Sequence, residues 1–94
     1  MVRMLMTINI SKGWETWSEM AKGLEPQMNE QGAKIIWAGA NPDETAVYVL
    51  AEMKDPSYVK SFGERPDIVA IREAGGADVS STTPLAQIDE YFMG

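Results

Sequence analysis

Two neighbouring runs, Ala33 to Ala40 and Ala46 to Met53, are bulky and apolar at both parities, and only Asn41-Pro42-Asp43-Glu44-Thr45 separates them. A strand that faces water on one side alternates apolar with polar residues. A run such as Ala46-Val47-Tyr48-Val49-Leu50-Ala51, or Ile35-Ile36-Trp37-Ala38, needs cover on both faces. Pro42 stands where a type I turn takes proline, so the two runs predict a β-hairpin. Any fold for this chain must therefore place a layer on each side of a sheet, within 94 residues that can bury one modest core.

The segments around the hairpin show what layers exist. Val2 to Ile10 alternates, with Val2, Met4, Met6, Ile8 and Ile10 on one face and Arg3, Leu5, Thr7 and Asn9 on the other. That period of two predicts a strand. From Trp14 the period lengthens: Trp14, Trp17, Met20 or Ala21, Leu24 and Met28 recur at helical spacing as far as Gly32. We expect an amphipathic helix with Ser11 as its N-cap, a kink or break near Leu24 because of Pro26, and a glycine stop at Gly32. After the hairpin, Asp55-Pro56 opens a short helix through Tyr58, Val59 and Phe62. Arg65-Pro66-Asp67 opens another carrying Ile68, Ile71 and Ala74, which stops at Gly75-Gly76. Ala77 to Leu85 is a polar β-type segment, and the tail around Asp89-Glu90-Tyr91-Phe92 gives no clear periodicity.

The order strand, helix, strand, strand, helix pair, strand predicts a single domain over residues 1–94. Its fold class is α+β, a ferredoxin-like sandwich (βαββαβ) with a four-stranded antiparallel sheet. The helices of such a fold cover one sheet face. Strand parity assigns Met4, Met6, Ile8, Val47, Val49 and Ala51 to that face, and Thr7, Asn9, Tyr48 and Glu52 to the other. A second copy of the chain is the economical cover for the other face, which makes the expected assembly a homodimer.

Charge and missing residue types narrow the functions. Eight basic residues against fourteen acidic leave a net charge of -6, which argues against nucleic acid and anionic membranes as partners. Cys and His are both absent, and with them the usual zinc and copper ligands, the imidazole-dependent triads and the common proximal haem ligand. We therefore expect no metal site and no cofactor. No secretory h-region is evident, so the expected compartment is the cytoplasm.

Several motifs together carry a likeness: Trp14-Glu15-Thr16-Trp17, Gly32-Ala33-Lys34-Ile35-Ile36, Asn41-Pro42-Asp43, Val47 to Leu50, Asp55-Pro56 and Ala74-Gly75-Gly76. The chain resembles the dimeric α+β barrel superfamily over nearly its whole length. That superfamily contains antibiotic-biosynthesis monooxygenases, haem-degrading monooxygenases, chlorite dismutases and muconolactone isomerases, and the motifs most resemble its small uncharacterised single-domain members. The resemblance implies a dimeric barrel. Haem-degrading members combine an Asn on the first strand with a Trp and a His. Asn9 matches the first, but Trp37 falls on a strand and no His exists, so the resemblance carries no haem chemistry here.

The functional expectation is a small-molecule-binding homodimer with a mainly apolar pocket between sheet and helices, suited to a lipid-like or aromatic metabolite such as a fatty acid. The candidate ligand-binding residues are Met6, Ile8, Trp17, Met20, Leu24, Met28, Trp37, Tyr48, Val49, Phe62, Ile71 and Arg72. Flexible, polarisable methionines suit a wall that adapts to its ligand, although the same stripe is what plain core packing presents. Two other readings stay open. One is a cofactor-independent monooxygenase or isomerase in which Asn9, Tyr48 or Arg72 polarises the substrate. The other is a structural dimer whose core is full. A cavity separates the first two from the third, and no residue is assigned a catalytic role.

Overall fold

A computed structural model describes residues 1–94. The turn forms as its residues dictate: the Glu44 N–H donates to the Asn41 carbonyl at 3.0 Å, with Pro42 and Asp43 between them. The Asn41 side-chain oxygen accepts the N–H groups of Thr45 (2.9 Å) and Ala46 (3.0 Å), which starts the second strand in register. Around this turn, β2 (Lys34–Ala40) and β3 (Ala46–Met53) pair antiparallel.

Strand β1 (Val2–Asn9) pairs antiparallel with β3, matching Met4 to Ala51, Met6 to Val49 and Ile8 to Val47. Strand β4 (Thr83–Gln87) lies on the other side of β1. The result is an open, four-stranded antiparallel sheet in the order β2-β3-β1-β4. Strands β3 and β1 are central, and the edges go to β2 and β4; β4 is exposed and contains Pro84, which limits edge-to-edge pairing.

The long helix α1 (Gly13–Glu30) buries Trp17, Ala21 and Leu24, as its spacing predicts. Its start and interior differ from expectation. Ser11 does not cap it; the Ser11 N–H and hydroxyl both donate to the Gly76 carbonyl, at 2.9 and 3.3 Å. Nor does Pro26 end it, for the helix continues to Glu30. Leu24 and Met28 pack inward on either side of Pro26, and Lys22, whose carbonyl loses its helical donor, is exposed, so that carbonyl is open to solvent. The stop at Gly32 forms with φ +79°. The N–H groups of Gly32 and Ala33 return to the Asn29 and Met28 carbonyls, at 3.0 and 2.9 Å.

The helix pair is α2 (Tyr58–Ser61), a single turn, and α3 (Pro66–Ala74). Ahead of α2 the Asp55 carboxylate accepts the Ser57 N–H at 2.8 Å and the Ser57 hydroxyl. Helix α3 ends as the glycine pair predicts, with Gly76 at φ +92° and the Ala77 N–H donating to the Arg72 carbonyl at 3.0 Å. The expected strand from Ala77 to Leu85 is shorter and later. Ala77 makes an isolated bridge with Ile10, Val79–Ser81 forms a 3₁₀ turn, and β4 starts only at Thr83.

All helices pack on the face carrying Ile8, Val47, Val49, Ala51 and Met53, which with Ile10, Trp17, Ala21, Ala33 and Ala77 form the main core. Leu24, Phe62 and Ile68 form a smaller core between the helices. The chain itself covers part of the opposite face. Beyond β4 the Ile88 N–H donates to the Arg3 carbonyl (2.9 Å), and the Arg3 guanidinium donates to the Asp89 carbonyl (3.2 Å). The same guanidinium lies 5.4 Å from the centre of the Tyr91 ring. The tail thereby lies across Leu5, Trp37 and Leu50, and Leu50 is buried. Trp37 and Tyr48 on this face remain 47% and 39% exposed.

Candidate functional site

Small residues between the helices and the sheet leave space on the helix-covered face. Ala51 on β3 and Ala21 on α1 have only methyl groups where neighbouring positions carry Val49, Trp17 and Leu24. Helix α1 stands on one side, while Tyr58, Val59, Phe62 and Ile68 stand on the other. At one end the two sides close together: a Cβ built on Gly75 would lie 2.6 Å from the Met20 Cβ, so only glycine allows that approach. The remaining volume is a cavity of about 110 Å³. That is below the several hundred Å³ of pockets for drug-sized ligands and near the 150 Å³ of an apolar cavity known to hold benzene.

Nine of the twelve expected residues line this cavity: Met6, Ile8, Trp17, Met20, Leu24, Met28, Val49, Phe62 and Arg72. Three do not, each for a physical reason. Trp37 shares the parity of Ile35, but an irregularity between them in the pairing with β3 sets Trp37 opposite Leu50 and turns it onto the second face. Its ring lies over Gly39, where a Cβ would come within 3.0 Å of the indole. Tyr48 pairs with Thr7, also on the second face. Ile71 is 38% exposed, because the inward row of α3 runs from the fully buried Ile68 to Arg72 four residues on.

The wall also includes Ala21, Ile35, Ala51, Tyr58, Val59, Gly63, Ile68 and Thr82. Strand parity and the Tyr58/Phe62 spacing carried a signal for several of these. The two rings stack with centroids 5.1 Å apart, as an i, i+4 pair on one helical face does. Thr82 had no such signal, since it reaches the cavity only because the 3₁₀ turn carries it there.

Polar groups are few. The Tyr58 hydroxyl is buried with no hydrogen-bond partner. Burial pushes its phenol above the usual value of 10.0, and the nearby Arg65 charge only partly opposes this. The Arg72 guanidinium is partly buried; it donates to the Gly63 carbonyl (3.0 Å) and the Thr82 hydroxyl (2.7 Å). Burial lowers its pKa below the usual arginine value, while the charge of Glu64 acts the other way. No carboxylate comes within ion-pairing distance of Arg72, unlike Arg65, which grips Asp67 through two contacts of 3.1 and 2.7 Å.

Groups suited to acid–base work lie elsewhere. Asn9 is exposed, and Glu52 bridges Arg3 (3.9 Å) and Lys34 (3.5 Å) away from the cavity. No group of three or more acidic side chains gathers in a metal-binding arrangement, and the cavity wall offers only a phenol, a guanidinium and a threonine hydroxyl as polar side chains. No helix is long and apolar enough to cross a membrane. Comparison with protein-family models, curated proteins and solved structures finds no match for the chain.

Proposed function

We propose that the chain is a binding module for a small apolar or amphiphilic molecule. In this reading it is a ferredoxin-like α+β sandwich that pairs through its second sheet face as a dimeric α+β barrel. The observation that carries the binding reading is the apolar cavity between sheet and helices, with the Tyr58 hydroxyl buried beside it without a partner. In its support, unfilled apolar space and a buried hydroxyl without a partner each cost free energy, which a bound molecule would offset. In support of the sandwich reading, β3 lies between the parallel β1 and β2, and β1 between the parallel β3 and β4, the interleaving of split βαβ units. Exposed Trp37, Tyr48, Phe92 and Met93 on or beside the second face are the patch that a second copy would cover.

Scaled from benzene in 150 Å³, the cavity takes a chain of about four carbons. At about 0.8 kcal/mol per buried CH₂, such a tail contributes about 3 kcal/mol, which implies millimolar binding for a neutral ligand. Longer chains require Met6, Met20 or Met28 to move, which unbranched thioethers do readily. The test is a two-dimensional NMR titration with straight-chain alcohols from ethanol to octanol. Shifts at residues of α1, β3 and α2 around the cavity, with affinity rising about fourfold per added CH₂ and then levelling, are the expected result. No shifts there, or affinity independent of length, would leave the structural reading in its place.

A further inference from the structure

Arg72 borders two spaces at once. On one side is the apolar cavity; on the other is a polar groove lined by Ser57, Lys60, Glu64, Ser80 and Thr82. Its guanidinium donates to the Gly63 carbonyl and the Thr82 hydroxyl, and its other N–H groups have no protein acceptor. In a chain with fourteen acidic residues, a partly buried arginine without a carboxylate partner is a cation held in reserve.

We infer that Arg72 is the anchor for the head of an amphiphilic monocarboxylate, whose alkyl part enters the cavity and whose carboxylate meets the guanidinium at the junction with the groove. This rests on the cavity-binding reading above and adds the ligand's charge and orientation to it. Arginine suits a carboxylate because its planar fork gives two parallel hydrogen bonds. A single negative charge fits better than the two of a phosphate monoester, because Glu64 shares the groove and Lys60 is the only other cation lining it. Held by Gly63 and Thr82, the guanidinium also loses little freedom when the head docks.

The experiment compares hexanoate with 1-hexanol, equal in chain length, by NMR titration at low salt. Hexanoate binding at least tenfold tighter than hexanol, with that advantage lost in Arg72→Gln while hexanol binding persists, supports the inference. Because Arg72→Gln also removes the ties to Gly63 and Thr82, Glu64→Gln serves as a second variant. Removing that negative charge should strengthen hexanoate binding severalfold and leave hexanol unchanged. If hexanol binds in the cavity but hexanoate binds no better, or Glu64→Gln affects both alike, the head-group assignment is overturned and the cavity reading stands. If neither compound binds, the cavity reading itself fails, and this inference with it.

Discussion

The carboxylate of Glu44, at the end of the β2–β3 turn, accepts the backbone N–H of Trp14 at 2.8 Å across a separation of thirty residues. It thus takes the place of the missing local N-cap of α1 and fixes the hairpin against the helix that walls the cavity. Glu44 holds this position at φ +54°, a region that disfavours side chains, so two opposed effects meet at one residue.

Glu44→Ala removes the cap and keeps the backbone cost, and should lower stability by about 1 kcal/mol. Glu44→Gly removes the cap but relieves the backbone, and should lie nearer the parent protein. Urea denaturation of both variants checks this; Gly as damaging as Ala would mean that the turn geometry stores no strain.

Tyr58→Phe removes a buried hydroxyl that has no partner. At neutral pH the variant should be as stable as the parent or more so, by up to about 1 kcal/mol. The sign of the pH effect follows from the raised phenol. Its contribution is fully present below 10.0 and is lost as pH rises beyond 10.0 through the higher folded value. Thermal melts between pH 8 and 11 should show a steeper alkaline fall for the parent than for Tyr58→Phe, and parallel curves would contradict the burial of this group.

Gly75→Ala drives a methyl group to 2.6 Å from the Met20 Cβ and Cγ and should cost roughly 1–3 kcal/mol through overpacking. Met20→Ala withdraws the Cγ but not the Cβ, so it should recover part of that loss. A double-mutant cycle measures the coupling, and additive effects would show that α1 and α3 do not meet there.

Deleting residues 89–94 removes the ring that Arg3 contacts and uncovers Leu5 and Leu50. The shortened protein should bind more of a hydrophobic dye and sediment as larger species than the full chain at equal concentration. Unchanged sedimentation and dye binding would show that the tail does not shield this face in solution.

How much was legible in advance depends on the range of the interaction involved. Strand parity is a property of consecutive residues, and it placed Met6, Ile8 and Val49 on the cavity side. Helical spacing did the same for Trp17, Met20, Leu24 and Met28. The turn at Asn41-Pro42 and the stops at Gly32 and Gly76 were equally readable, because they follow from φ preferences within a few residues.

Other features depended on partners distant in the chain. The cap of α1 comes from thirty residues away, and the tie between Arg3 and Asp89 spans eighty-six. Trp37 changed face because pairing with β3 is irregular just before it, and a one-residue slip reverses a side chain without altering the local pattern. Arg72 rather than Ile71 turned inward because Ile68 had already set the inner row of α3. By itself the sequence determined β1, the β2–β3 hairpin and its turn, and the helices with their glycine stops, since those rest on short-range sterics and periodicity, whereas the place of β4 did not follow from it. Only the tertiary structure decided which residues enclose the cavity, which charge stands at its edge and what lies across the second face, because these are set where surfaces far apart in the chain come into contact.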